Sequence, residues 1–298
     1  MKHRRIALVV ALLAALATPA FGQQKPAAVP YVDLPLTQLV TRVDAGDLEA
    51  AFELGLRYFY GDGGVTADHA ESARWYRIAA EGGLAEAQLN LGYLYFTGQG
   101  LKQNDAEALR WYTLAADQGN ATAQTNIGIM HAGGQGVPED GVEALEWFML
   151  AAEQEDIEAF HQIGLLFAYG ALPLDLVEAE RWFRLAAERG HIDAAQELGD
   201  IFIYENAVGP DFAEALYWYT IAAEAGHGAA QYDLGVMYGL GEGTEVDYAT
   251  AYYWLSLAAI AGTADNAPTA RDAVKNELTA AEIARIDREV AAFVPVGE

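Results

Sequence analysis

Residues 85–120 read AEAQLNLGYLYFTGQGLKQNDAEALRWYTLAADQGN. Ala87, Leu91 and Tyr95 fall at four-residue steps and share one face of a helix over 85–97. Gly98-Gln99-Gly100 closes that helix. Asn104 then opens a second helix over 105–117, its side chain suited to accept a hydrogen bond from a first-turn N–H. Ala108, Trp111, Leu114 and Ala115 form one stripe on it, and Gly119 suits the left-handed residue that ends a helix. The stretch is a helix–turn–helix unit that needs neighbours to bury its apolar face.

The neighbours are in the same chain. Trp75, Trp111, Trp147, Trp182, Trp218 and Trp254 are spaced by 36, 36, 35, 36 and 36 residues. A glycine precedes each in the first helix of its unit: Gly55, Gly92, Gly128, Gly164, Gly199 and Gly235. An Ala-Ala pair follows each Trp, from Ala79-Ala80 to Ala258-Ala259. Seven residues before each Trp stands a capping residue: Asp68, Asn104, Asp140, Asp175, Asp211 or Asp247. Three further on, Glu71, Glu107, Glu143, Glu178 and Glu214, with Thr250 in the last unit, are expected to reach back as capping-box partners. Gly83, Gly119, Gly190, Gly226 and Gly262 end the second helices, with Glu155 as the departure. A mid-helix glycine costs about 1 kcal/mol against alanine. Its recurrence implies close approach of a neighbouring helix, and all six tryptophans are expected in the core between layers.

The expected fold is all-α, an α/α superhelical solenoid of six helix pairs. A linker and a capping helix occupy 23–46, with the helix at Leu36–Asp44. The repeats run 47–84, 85–120, 121–156, 157–191, 192–227 and 228–263. Capping helices fill 264–298, the first from Ala267 to Leu278 and the second opened by a Thr279–Glu282 capping box, with Ile283, Ile286 and Val290 on one stripe. Units four and five lack the paired loop glycines, so their loops must be shaped differently.

The pattern resembles that of the Sel-1-like repeats, relatives of the tetratricopeptide repeats. Unit two carries it at Ala87, Leu91, Gly92, Tyr95, Gly98, Gly100, Ala108, Trp111, Tyr112, Ala115, Ala116 and Gly119. The resemblance implies a right-handed superhelix whose first helices line a concave face. It also implies a non-enzymatic scaffold or adaptor for a protein or peptide, in envelope signalling or exopolysaccharide regulation, with an envelope protein or polysaccharide machinery as the partner. By that analogy the exposed first-helix positions hold Phe52, Leu56, Phe59 and Tyr60 in unit one, and Leu89, Tyr93 and Phe96 in unit two. Ile129, Tyr169 and Tyr232 follow in units three, four and six, and Gln196, Asp200, Ile203 and Tyr204 are the corresponding residues of unit five. These residues form either a groove or inter-repeat core. A carbohydrate- or peptidoglycan-binding module and a hydrolase subunit are the alternatives in other functional classes.

Composition narrows the classes. With 17 Lys+Arg against 43 Asp+Glu, the net charge of −26 leaves no basic surface for nucleic acid. There is no cysteine, hence no disulfide and no thiolate chemistry. Serine occurs only as Ser72 and Ser256, both inside second helices and neither in a nucleophile motif. The histidines lack metal-ligand spacing, and His191 and His227 read as turn residues in equivalent repeat positions. No catalytic residue, metal or cofactor is therefore expected. Residues 1–5 are basic, 6–17 apolar, and Ala20 and Gly22 small, the order of a signal peptide cut after Gly22. The mature chain is expected to be periplasmic or secreted, without stable membrane insertion.

Overall fold

A computed structural model describes residues 31, 33–170, 172–205 and 209–296. The signal-peptide segment and most of the linker lie outside the described residues. Among the described residues the secondary structure is helical, with no strand. The chain divides into two units, Met1–Leu174 and Asp175–Glu298.

The first unit holds α1 (Leu36–Asp44), α2 (Leu48–Tyr60), α3 (His69–Glu81), α4 (Ala85–Thr97), α5 (Asp105–Ala116), α6 (Ala121–Gly133), α7 (Gly141–Ala152) and α8 (Ile157–Tyr169). Ala51, Tyr76, Ala79, Ala80, Ala87, Leu91, Leu94 and Trp111 form one buried cluster across α2 to α5. Trp111 thus packs on the layer before its own. Trp75 does the same against Leu39, Ala50 and Leu54, so α1 covers the first layer. Arg57 ties this end together. Its Nε donates to Glu53 at 2.8 Å in a buried ion pair, and its two terminal nitrogens donate to the Leu34 and Tyr31 carbonyls. A buried guanidinium needs such a full set of acceptors.

The second unit holds α9 (Leu176–Ala187), α10 (Ile192–Asp200), α11 (Phe212–Glu224), α12 (Gly228–Leu240), α13 (Tyr248–Ala261), α14 (Ala267–Lys275) and α15 (Ala280–Ala291). Without loop glycines, α10 runs into a π turn over Ile201–Glu205. Helix α14 ends at Lys275, three residues short of the expected end. Helix α15 carries the full capping box of Thr279 and Glu282 and buries Ile286. The chain then returns to α11, where the Val296 N–H donates to the Glu224 carbonyl at 2.9 Å.

The six expected caps all form, with Asp68, Asn104, Asp140, Asp175, Asp211 and Asp247 accepting first-turn N–H bonds. The glutamates behave otherwise than expected. Glu71, Glu107 and Glu178 pair forward with Arg74, Arg110 and Arg181, while Glu143 and Glu214 accept the indole N–H of Trp147 and Trp218. A donor one turn ahead on the same face outcompetes the N-cap amide, which is already close to solvent. The histidines cap too. His191 and His227 use Nδ1 to accept from the backbone N–H of Ala194 and Ala230, each at 3.2 Å.

Five of the six helix glycines, Gly55, Gly92, Gly128, Gly199 and Gly235, are explained by the residue after a tryptophan. A Cβ at Gly92 would lie 2.7 Å from the Tyr112 ring, and one at Gly128 would lie 2.5 Å from Phe148. Tyr76, Tyr219 and Leu255 close on Gly55, Gly199 and Gly235 in the same way. Glu155, in the place of a helix-ending glycine, adopts φ 60°, a left-handed conformation that strains a side chain with a Cβ.

The tryptophan expectation needs correction at two positions. Trp75, Trp111, Trp218 and Trp254 are buried, but Trp147 and Trp182 are only half-buried. The Trp147 indole N–H donates to Glu143 at 3.0 Å.

Candidate functional site

The first helices are more deeply embedded than the sequence suggests. Helix α4 buries Leu89 (8% exposed), Tyr93 (7%) and Phe96 (6%), and α6 buries Ile129 (1%). Of the two readings left open by the sequence, groove or inter-repeat core, the burial of these four favours core. Helices α4 and α6 bury polar residues such as Gln88, Asn90, Gln124 and Asn126 along with their apolar ones, which makes them interior helices rather than one-faced ones. Phe52, Leu56, Phe59, Tyr169 and Tyr232 are half-buried, and Tyr60 is 54% exposed.

Tyr60, at the C-terminal end of α2, is the most exposed of these residues in the first unit. Phe59 sits at the centre of a ring cluster there. Its centroid is 5.1 Å from Tyr60 in an edge arrangement, 4.8 Å from His69 in a stack and 6.4 Å from Tyr93. Burial raises the Tyr60 and Tyr93 phenols above their ordinary range, so both stay protonated donors. Such a patch presents an apolar body with polar tips, the combination that suits a binding anchor.

The second unit presents a polar constellation on its own first helices. Gln196 and Asp200 lie on α10, Tyr204 on the π turn, and Tyr232 and Asp233 on α12. Gln196 Nε2 donates to Asp200 Oδ1 at 3.2 Å and to Asp233 Oδ2 at 3.0 Å. Tyr219 reaches from α11 past Gly199, and its hydroxyl donates to Asp200 at 2.6 Å. Burial, and secondarily the charge of Asp200, push the Asp233 carboxyl up to about 6 against the pull of Gln196. Burial and the neighbouring acids also raise Tyr204.

Gln196, Asp200, Tyr204 and Tyr232 occupy first-helix positions marked out from the sequence, but Asp233 does not. Its signal was available. Two residues before the helix glycine, every repeat carries a polar residue: Glu53, Asn90, Asn126, Gln162, Glu197 and Asp233. The serines are structural donors. Ser72 Oγ donates to the Gly55 carbonyl at 2.8 Å and Ser256 Oγ to the Tyr252 carbonyl at 2.6 Å, both buried.

Comparison with known proteins agrees with this geometry. A family model described as the Sel1 repeat matches residues 48–84, 85–120, 121–156, 158–191, 192–227 and 228–263. The chain is similar to the crystal structure of a protective antigen of uropathogenic Escherichia coli strains displaying an SLR fold. The two share 31% identity with a TM-score of 0.75 over 87% of this chain and 56% of the other. The chain therefore spans a little over half the length of that antigen. A Sel1 repeat protein from Oxalobacter formigenes is 30% identical, with a TM-score of 0.64 over 75% of this chain and 96% of that one. The comparison with curated proteins finds no match.

Proposed function

We propose, from the premise that this chain belongs to the Sel1 repeat family, that it is a scaffold holding a protein or peptide partner on the exposed end of its first helices. The repeat fold is typical of protein–protein interaction scaffolds. The observation that carries the reading is the Phe59–Tyr60–His69–Tyr93 ring cluster, an aromatic anchor with Tyr60 at the surface of a chain of net charge −26. An apolar anchor on a strongly acidic chain fits a partner that is apolar at its centre and basic around it. Of the ten residues marked out from the sequence, Tyr60 with Phe52, Leu56 and Phe59 are those placed to serve in the first unit. Tyr93 packs in the same cluster as Phe52, Leu56 and Phe59 and supports them from the next repeat. We place this scaffold in the cell envelope, on the composition of residues 1–22. No helix among the described residues is long and apolar enough to cross a membrane.

The test is capture of the partner from the native envelope fraction with three forms of the chain: wild type, Tyr60→Glu and Val142→Glu. Val142 is an exposed apolar residue on the second helix α7. Tyr60→Glu is expected to reduce recovery at least tenfold, the scale of a lost aromatic anchor of about 1.4 kcal/mol or more. Val142→Glu is expected to leave recovery unchanged. Equal recovery with Tyr60→Glu, or loss with Val142→Glu, defeats the assignment.

A further inference from the structure

We infer that Asp200, Asp233 and Gln196 form a receptor for one cationic side chain, a lysine ammonium or an arginine guanidinium, carried by a peptide. That the carrier is a peptide rests on the scaffold reading; the cation receptor itself rests on the geometry of the second unit.

Three features point the same way. First, Gln196 is nine-tenths buried, and its amide nitrogen is committed to both carboxylates. The oxygen of that same planar amide, Oε1, is buried with no hydrogen-bond partner. Buried acceptors are normally satisfied, so this one calls for a donor. The amide cannot flip to supply it without aiming an oxygen at two carboxylates. Second, no lysine or arginine among the described residues pairs with Asp233, which is half-buried and accepts only one of the hydrogen bonds its two oxygens allow. Two carboxylates and an orphaned amide oxygen together make a set of acceptors that a multi-donor cation matches and a neutral donor does not.

Third, the rim is aromatic. Tyr204 is 72% exposed on the π turn and interacts electrostatically with Asp200, Asp233 and Tyr232. Aromatic faces beside carboxylates favour ammonium and guanidinium groups through cation–π attraction. π turns of this kind recur at functional sites.

The charged and titratable groups that act on Asp233 are Asp200, Tyr219 and Tyr204, and Tyr204 in turn faces Tyr232 and Glu242. All are acidic or neutral, so a bound cation meets no competing positive charge from them. Binding is expected to pull the Asp233 carboxyl down toward the ordinary range and to weaken as pH falls through 6.

The test is NMR titration of the purified chain with the blocked tripeptides Gly-Arg-Gly, Gly-Lys-Gly and Gly-Gln-Gly, and separately with calcium chloride. The cationic tripeptides are expected to give saturable shifts at Tyr204, Tyr232 and Asp233, and the Gln tripeptide none. Asp233→Asn is expected to weaken binding at least tenfold while keeping the wild-type circular dichroism. Glu139→Gln makes the same change in net charge on an exposed loop of the other unit and is expected to leave binding unchanged. Equal shifts with the neutral tripeptide, equal weakening by both substitutions, or calcium binding at these residues without tripeptide binding would each overturn the receptor. Tripeptide binding that persists when Tyr60→Glu fails to reduce partner capture removes the first-unit anchor and keeps the receptor. The reverse pattern removes the receptor alone.

Discussion

Gly92→Ala is expected to destabilise the chain by about 2 kcal/mol, although alanine is the better helix former by about 1 kcal/mol. The reason is the neighbour across the pair. A Cβ at Gly92 lies 2.7 Å from Cδ1 and Cε1 of Tyr112 and 3.3 Å from the Ala108 carbonyl. Tyr112 is wholly buried and has no free volume to turn into. Helices α4 and α5 must therefore separate, and the packing of Leu91, Leu94 and Trp111 loosens with them. Gly239 provides the control within the same protein. It also lies in a first helix, but its Cβ would meet Val274 at 3.5 Å and Ala251 at 3.7 Å, ordinary contacts. Gly239→Ala is expected to be neutral or stabilising, by up to about 1 kcal/mol. Urea unfolding monitored by circular dichroism reads both. A loss of stability at Gly239 as large as that at Gly92 would mean that the helix glycines are not there for close packing.

Asp233→Asn is expected to stabilise the chain at pH 7, by roughly 1–3 kcal/mol, and to lose that advantage toward pH 4. Asp233 is raised to about 6 in the fold from the ordinary 3.8. A carboxyl raised in this way supports folding while it is protonated, below its unfolded value. That support disappears as pH rises through 6, so ionised Asp233 is a liability at neutral pH. Asparagine removes the charge and keeps a side chain that can accept from Gln196. His227 works in the opposite direction. Burial lowers its ring against the pull of Asp193, 3.4 Å away, so its contribution is lost as pH falls below the unfolded value near 6.5. The difference between wild type and Asp233→Asn, measured from pH 4 to 8, cancels the histidine and isolates the carboxyl. A flat difference would show that Asp233 is not held at strain. A gain in stability combined with a loss of cation binding is the pattern of a functional residue kept at the expense of the fold.

The fold was legible because each repeat writes the same local rules. The cap seven residues before every tryptophan, the glycine of the first helix and the Ala-Ala pair are short-range signals, and each appears where the sequence places it. Glu155 shows how far this goes: the one departure from glycine keeps the left-handed backbone of the others. Legibility ends where side chains choose among partners. Glu71 and Glu143 have the spacing of capping boxes but turn to Arg74 and Trp147, since spacing does not rank competing donors. Exposure was harder still. Leu89, Tyr93 and Phe96 occupy positions that a one-faced helix would leave open, and only the packing of neighbours on both flanks of α4 decides that they are closed. Asp233 belongs to a polar position repeated six times, yet its partner Gln196 is 37 residues away, a juxtaposition that only stacking creates.

The central claim is that binding uses the first-helix side of the first unit, at the Phe59–Tyr60 cluster. Hydroxyl-radical footprinting of the chain alone and of the captured complex tests it most directly. The expected result is protection of Tyr60 and Phe59 on partner binding, with the exposed second-helix residues Ile78, Leu114 and Val142 unchanged. Protection of Ile78, Leu114 and Val142 with Tyr60 still fully reactive would contradict it and place the partner on the second helices.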